Sequence, residues 1–261
     1  NNKIGEMKNT LIDYHIHTVY SGHSAPDMTV RSIVERAELL GLKSIVILEH
    51  AFYSSMGRVC LEQIKKEVNY IESGVNVLVG MEIDPDYKRK GKLIFDDFDR
   101  NELDIVLVGT HTIPCIGKGW HIEVELTQKE KEKVYHTWFE IMEAVLEGSS
   151  VDIIAHPGRL ISRNGIIEKF IGKVLKDFER LFSIAKKKDV AFELNESLLN
   201  IFQNEYLLQS YTEIVRLALS TGLKISLGSD AHSPDRIGEN FYITGAIHQC
   251  NISQENLFIV K

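Results

Sequence analysis

The sequence predicts a single α/β barrel of parallel strands, and two observations carry this prediction. Short apolar runs alternate with amphipathic stretches along the chain, which is the pattern of repeated strand–helix units. Most of the runs are continuously apolar, as in strands that a parallel sheet buries on both faces. With 261 residues and 44% hydrophobic content, the chain is long enough for one such domain, which we expect to span 1–261.

Each element follows from a local pattern. The predicted strands are 11–16, 44–49, 75–82, 104–110, 151–155, 190–195 and 224–229. The predicted helices are 28–41, 59–73, 128–147, 166–188 (broken near Gly172) and 205–221. The first helix has apolar residues at helical spacing, such as Val30, Ile33 and Val34, and glycine ends it at Gly41.

Two segments, 84–102 and 113–130, interrupt the strand–helix alternation after the third and fourth strands. Long loops that follow barrel strands usually shape the substrate pocket. We therefore expect both segments on the face where the strands end.

The composition argues against several classes of protein. The net charge of -7 opposes extended nucleic-acid binding, which needs a basic surface. No apolar run reaches the roughly 18 residues of a membrane helix, and NNKIGEMKNT lacks the apolar region of a signal peptide. The three cysteines form no CxxC pair, so we expect reduced thiols and a cytoplasmic location.

Nine metal-ligand residues stand at or just past the ends of the apolar runs. They are His15, His17, His23, His50, Glu82, His111, His156, Asp230 and His232. A single histidine is more often a core or surface residue, but seven of the ten falling there by chance is implausible. Because strand ends converge on one face of a barrel, the nine predict two or three divalent ions. Imidazoles with carboxylates favour Zn, Mn or Fe.

This ligand set indicates metal-assisted hydrolysis. The chain has no Gly-x-Ser-x-Gly elbow and no P-loop. A hydroxide held by the ions is expected to attack phosphorus, with Glu82 bridging two ions. We predict Glu82, His111 and Asp230 as catalytic residues, and Asp230 is also a candidate general acid.

The motifs DYHIHT, GTH, AHPG and GSDAH, with Glu82 between the first two, resemble those of the PHP (polymerase and histidinol phosphatase) family from Asp13 to Gly238. The resemblance implies a distorted (β/α)7 barrel, a trinuclear metal site and phosphoester hydrolysis. It also implies three ligand groups: His15, His17, Glu82 and Asp230; Glu82, His111 and His156; and His23, His50 and His232. The chain departs at Glu49, where the family more often has Asp; if this position orients His50, the longer glutamate side chain can still reach it.

Two arginines near the motifs, Arg159 and Arg236, are candidates for binding a substrate phosphate, because guanidinium matches phosphate oxygens. For each, a surface or structural role is equally expected. The basic run 88–92 either attracts anions or is a solvated hairpin turn.

We predict a small phosphorylated substrate and leave the oligomeric state open. Histidinol phosphate is one alternative, for which the acidic 84–102 segment offers anionic groups. A nucleotide or oligonucleotide phosphodiesterase, with Phe52 and Trp120 for stacking, is another. A metal-holding module without activity is the third.

Overall fold

The computed structural model describes residues 12–51, 54–95, 100–112, 125–202 and 205–260. Within them, seven strands form one parallel sheet in chain order, β1 to β7. The strands are β1 (Ile12–His17), β2 (Ser44–Ala51), β3 (Asn76–Ile83), β4 (Ile105–Val108), β5 (Ile153–Ile154), β6 (Ala191–Asn195) and β7 (Ile225–Gly228). The predicted barrel of parallel strands is confirmed, and β4 and β5 are shorter than predicted.

Helices surround the sheet. They are α1 (Val30–Leu40), α2 (Ser54–Val68), α3 (Gln128–Gly148), α4 (Arg159–Arg163), α5 (Lys173–Lys187), α6 (Glu196–Asn200), α7 (Glu205–Thr221) and α8 (Phe241–Cys250). The predicted helix 166–188 begins only at Lys173, because Gly172 precedes it with a left-handed φ of 58°. The helix α8 was not predicted. Among the described residues, no helix is long and apolar enough to cross a membrane.

Two hydrophobic clusters show which strand residues face inward. One joins alternate strand positions such as Val46, Leu48 and Leu107 with no helical residue, so it fills the barrel interior. The other joins the intervening strand positions with the helices. Inward positions therefore alternate along each strand, as expected for a packed barrel.

A β-bulge in β1 sets the direction of two predicted ligands. Asp13 pairs with Ile45 and Ile16 pairs with Ile47, so β1 has one residue more than β2 between these pairs. Tyr14 belongs to the interior cluster and Ile16 to the outer one. The extra residue shifts the alternation, so that His15 also faces inward.

The barrel closes between β1 and the segment after β7. Here Ile16 bridges Ala231, and the amide of Asp230 donates to the carbonyl of His15 at 2.8 Å. The buried carboxylate of Asp13 accepts from the amides of Ser229 and Gly238, both at 2.9 Å. Asp13 therefore holds the closure together.

The segment after β3 forms a hairpin instead of a crossover helix. Pro85 bridges Leu93, and the tip at Gly91 accepts a hydrogen bond from Ser149 Oγ at 2.8 Å. Ser149 follows α3, which returns from the strand ends, so the basic run 88–92 lies away from the predicted ligands. The expectation that 84–102 lies on the ligand face is wrong for this tip. The acidic residues 96, 97 and 99 and most of 113–130 lie outside the described residues.

Candidate metal centre

The carboxyl ends of β1 and β7 bring the first predicted ligand group together. His15 Nε2 and His17 Nε2 lie 3.0 Å apart. Asp230 Oδ1 lies 3.6 Å from the first of these nitrogens and 3.5 Å from the second. Two imidazole nitrogens and a carboxylate oxygen that face one point form a plausible set of ligands for one ion.

Glu82 lies at the centre of the cluster. Its Oε1 is 2.6 Å from His156 Nε2 and 3.3 Å from His111 Nε2. Its Oε2 is 3.4 Å from His15 Nε2 and 3.0 Å from His50 Nδ1. The two carboxylate oxygens thus face different histidines, which is the position that a bridging ligand requires.

A glycine directly after the neighbouring strand β4 makes room for Glu82. A Cβ at Gly109 would lie 2.2 Å from Glu82 Oε1 and 2.7 Å from His111 Cε1. No side chain fits at that distance. The glycine of the GTH motif is therefore required by the cluster rather than by its own backbone conformation.

The remaining histidines form the outer part of the cluster. The ring of His17 lies 4.3 Å from that of His50 and 4.4 Å from that of His232, centroid to centroid. His23 lies 4.7 Å from His232. All nine predicted ligands therefore come together at one end of the barrel.

The ligand atoms fall into three groups, each within 4.8 Å. They are His15, His17 and Asp230; His50, Glu82 and His111; and His17, His50 and His232. The structure therefore places His17 where the resemblance implied His23, and the assignment of ligands to ions stays a prediction.

The chemistry of these residues fits bound metal ions. His232 Nε2 is a buried atom with no hydrogen-bond partner among the described residues, and the buried Glu82 Oε2 and His111 Nε2 contact other predicted ligands at 3.0 and 3.3 Å without hydrogen-bond geometry. Buried polar atoms are normally paired, because leaving them unpaired costs about 1–3 kcal/mol. Carboxylate oxygens and imidazole nitrogens without hydrogen bonds, all facing one centre, indicate a place for cations.

The electrostatics of the cluster favour ionised carboxylates. Burial alone would raise the pKa of Glu82, but the surrounding histidines, with His111 and His15 first, hold it well below its usual range. Burial would also raise the pKa of Asp230, but the neighbouring His15 and His17 hold it well below its usual range. An ionised Asp230 suits a metal ligand better than the proton donor we considered.

Two carboxylates stand behind the ligands: Glu193, which the sequence did not mark, and Asp84, which was a candidate for binding the substrate and instead contacts His111. His15 Nδ1 donates to Glu193 Oε1 at 2.7 Å, and His111 Nδ1 donates to Asp84 Oδ1 at 2.6 Å. Burial opposes the charged form of His111, but Glu82 and Asp84 raise its pKa to about 10 in the metal-free protein. Glu193 could have been suspected from its position inside the apolar run VAFELN.

The side chain of Glu49 contacts Thr18 and His17. Its Oε1 accepts from the amide and hydroxyl of Thr18 at 2.7 and 2.6 Å, and its Oε2 lies 4.0 Å from His17 Nδ1. Burial raises the pKa of Glu49 to about 7. Its contacts are therefore with β1 and the loop that follows, because residue 49 faces outward from β2 while His50 faces inward.

Two of the predicted ligands adopt left-handed backbone conformations. His156 has a φ of 28° and Asp230 a φ of 58°. Such conformations are sparsely populated outside glycine, cost about 1–3 kcal/mol and cluster at functional sites. The backbone strain is therefore a second, independent mark of this end of the barrel.

The structure separates the two candidate arginines. Arg159 Nη1 lies 3.8 Å from Asp230 Oδ2, and its side chain is 18% exposed. Arg236 instead forms a surface ion pair with Glu239, with Nε 2.6 Å from Oε2. Arg159 therefore lies beside the candidate ligands and Arg236 is held elsewhere. Phe52 and Trp120, the two aromatic candidates for stacking, lie outside the described residues.

Comparisons with known proteins identify the family of this chain. The family profile described as PHP domain matches residues 13–197. A protein named probable phosphatase from Clostridium novyi is 28% identical over 243 residues, which cover 87% of this chain and 81% of that protein. The DNA polymerase/3'-5' exonuclease PolX of Bacillus subtilis is 26% identical over 247 residues. That match covers 91% of this chain but 36% of the relative, so the chain spans about a third of the length of PolX.

A solved structure shares the fold. Histidinol phosphate phosphatase from Lactococcus lactis, in complex with Zn, L-histidinol and phosphate, superimposes with a TM-score of 0.68 at 19% identity. The alignment covers 93% of this chain and 94% of that one. At this identity the likeness establishes the barrel fold.

Proposed function

The chain belongs to the PHP domain family of metal-dependent phosphoesterases, and from this premise we propose that it hydrolyses a small phosphomonoester at a cluster of three divalent ions. One observation carries the proposal. Glu82 stands at the centre of the cluster, with Oε1 facing His111 and His156 and Oε2 facing His15, His17 and His50. A carboxylate so placed supports bridging, and a bridged pair of ions is the usual arrangement for phosphoester hydrolysis.

The nine residues predicted from the sequence would hold the ions, which we propose to be Zn, Mn or Fe. When bound, such ions supply Lewis acidity and lower the pKa of a water molecule at the site. The side chains keep this chemistry in a dry environment, because His15, Glu82 and His156 are at most 1% exposed. The protein then needs no nucleophile of its own.

Arg159 is the residue we propose for binding the phosphoryl group. It lies at the edge of the cluster beside Asp230, and its buried Nε has no hydrogen-bond partner among the described residues. A guanidinium with a donor to spare can bind phosphate oxygens that face the ligands. Arg236 offers less support for this role, because Glu239 already holds its Nε.

Histidinol phosphate is the first specific substrate to test. The Lactococcus lactis enzyme, with the same fold, was solved with L-histidinol and phosphate. Because the two chains are only 19% identical, the fold alone does not transfer the substrate.

A second candidate function is the hydrolysis of a phosphodiester at the 3' end of DNA. The observation in its favour is the match of 91% of this chain to the polymerase and exonuclease PolX. The net charge of -7 opposes it, and the basic run 88–92 lies away from the cluster.

A panel of four substrates distinguishes these candidates. Protein loaded with Mn, Zn or Fe is assayed with p-nitrophenyl phosphate, histidinol phosphate, bis(p-nitrophenyl) phosphate and a single-stranded oligonucleotide. We expect turnover of monoesters at least about ten times faster than of diesters. Faster cleavage of the oligonucleotide would favour the second candidate, and a metal-replete protein inert to all four would favour a non-catalytic module.

A further inference from the structure

Glu193 is a buried carboxylate that the proposed chemistry does not use. It lies on β6, the one described strand that neither contains nor is followed within four residues by a predicted ligand, and it is fully buried. An unpaired carboxylate in such a place would be costly, and buried charges are normally paired or hydrogen-bonded. Its partners therefore indicate its role.

Both oxygens of Glu193 are occupied by donors from the cluster or beside it. Oε1 accepts from His15 Nδ1 at 2.7 Å. Oε2 accepts from the backbone amide of His156 at 2.6 Å and from Asn195 Nδ2 at 3.1 Å. One side chain thus holds two predicted ligands that come from β1 and from the end of β5.

The contact with His15 selects the tautomer of the imidazole. A carboxylate can only accept, so the proton of a neutral His15 is held on Nδ1 and its Nε2 carries the lone pair. That Nε2 is the atom that faces His17, Glu82 and Asp230. Glu193 therefore leaves the ligand atom free on the side of the cluster.

The contact with His156 acts through the backbone. His156 has the strained φ of 28°, and its amide is fixed by Glu193 Oε2. In this conformation its Nε2 reaches Glu82 Oε1 at 2.6 Å. Loss of the hydrogen bond would free the backbone to relax and would move the imidazole.

The neighbouring strand reserves space for this arrangement. A Cβ at Gly228 would lie 2.4 Å from Glu193 Oε1 and 2.6 Å from the Cβ of His15. Gly228 lacks a left-handed φ, so space, and not backbone conformation, is what requires glycine there.

We propose that Glu193 is a positioning residue that holds His15 and His156 together, so that it sets the affinity of two of the metal ions at once. The inference rests on the proposed metal cluster and extends it to a residue that binds no ion itself. Support of this kind typically changes metal affinity by about 10- to 100-fold.

The test is metal titration of Glu193→Gln against a chromophoric chelator, with Zn²⁺ as the probe. The glutamine side chain cannot accept hydrogen bonds from both His15 and His156, because only one of its two end atoms is an oxygen. If its oxygen faces His15, its NH₂ opposes the amide of His156; if it is reversed, it forces the proton of His15 onto Nε2. We expect two ions to bind about 10- to 100-fold more weakly, while circular dichroism of the metal-free variant shows a folded chain.

A second variant keeps the Glu193 carboxylate but fills the space that it occupies. Gly228→Ala should displace Glu193 and weaken the same two ions. Because both substitutions act on one contact, their effects in the double variant should overlap rather than add. The visible spectrum of the Co²⁺-loaded variants should change in the same way, because it reports ligand geometry.

Glu196→Gln is the matched control. Glu196 is also buried and accepts two backbone amides, from Tyr242 at 3.0 Å and Ile243 at 2.9 Å, at the start of α8. This variant should lower the melting temperature and leave Zn²⁺ affinity unchanged.

Wild-type Zn²⁺ affinity in Glu193→Gln, weakening of a single ion, full additivity with Gly228→Ala, or an equal effect of Glu196→Gln would each overturn the inference. None of these readouts needs phosphatase activity. A wild-type protein that hydrolyses no ester but titrates as described would reject the proposed function and leave the role of Glu193 standing.

Discussion

The cluster has two parts that differ in how their ligands are supported. The inner half consists of His15, His17, Glu82, His111, His156 and Asp230, and the outer half of His23, His50 and His232. In the inner half, carboxylates hold two imidazoles, Glu193 at 2.7 Å and Asp84 at 2.6 Å. In the outer half, backbone carbonyls take that place, since His23 Nδ1 lies 3.1 Å from the carbonyl of Ser21 and His232 Nδ1 3.0 Å from that of Asp230.

The two halves also differ in burial and in charge. The side chain of His232 is 29% exposed, whereas those of His15 and His156 are fully buried. Both carboxylate ligands belong to the inner half, and the outer half offers imidazoles only. Buried carboxylates therefore support inner ligands, whereas the outer His23 and His232 bond to backbone carbonyls of their own loops. We therefore expect the inner ions to be tight and the outer ion to exchange.

The largest effect is expected at the centre of the inner half. Glu82→Ala removes the shared ligand, and His111→Ala removes one of its partners. Loss of several kcal/mol of charge stabilisation lowers the rate by about a thousand-fold or more. Steady-state kinetics with metal analysis check this, and circular dichroism tests folding, because lost metal can also cost stability. Near-normal kcat in either variant under limiting metal would contradict the assignment.

Arg159 lies beside Asp230 of the inner half, where we propose that it binds the phosphoryl group. Arg159→Ala should lower kcat/KM by about 10- to 100-fold and weaken inhibition by vanadate, because a charge-assisted contact contributes about 1.5–3 kcal/mol. Arg159→Lys should restore only part, since an ammonium cannot form the fork.

Arg236→Ala is the matched control for Arg159. An exposed ion pair such as Arg236–Glu239 contributes about 0–1 kcal/mol, so kcat/KM should stay within about two-fold of the wild type. A fall in melting temperature without any change in vanadate inhibition in Arg159→Ala would assign Arg159 a structural role.

Removal of metal sharpens the comparison directly. Titration with a mild chelator should release one ion at a concentration about ten-fold or more below that needed for the others, because weaker support lowers metal affinity by about 10-fold or more. His232→Ala should abolish only this first step. Elemental analysis measures the ions that remain at each chelator concentration. Release of all ions in a single step would show that the two halves bind their ions as one unit.

The smallest expected effect is on acid stability of the metal-free protein. Burial lowers the pKa of His50 to about 4, against about 6.5 in an unfolded chain. Between these pH values the unfolded chain binds a proton that the folded one does not, so the free energy of unfolding falls as the pH falls. Thermal melts from pH 7 to pH 4 should show this slope, and His50→Asn should make it shallower. An unchanged slope in the variant would contradict the pKa.

The sequence alone was enough to predict the barrel and the side chains that meet at its end. Continuous apolar runs indicate parallel strands, and the ends of parallel strands converge, so residue types at those ends were enough to predict which nine side chains meet. The sheet topology confirms the fold, and the family profile confirms the resemblance.

Only the tertiary structure decided how the ligands are held. The bulge in β1 that turns His15 inward depends on pairing with β2, so the residue spacing within β1 could not predict it. Glu193 holds a histidine 178 positions away, while Arg236, next to a motif in sequence, pairs with Glu239 at the surface. The end of a strand can be predicted from the pattern of a single segment. Hydrogen bonds between distant segments form only when the barrel closes and brings those segments together.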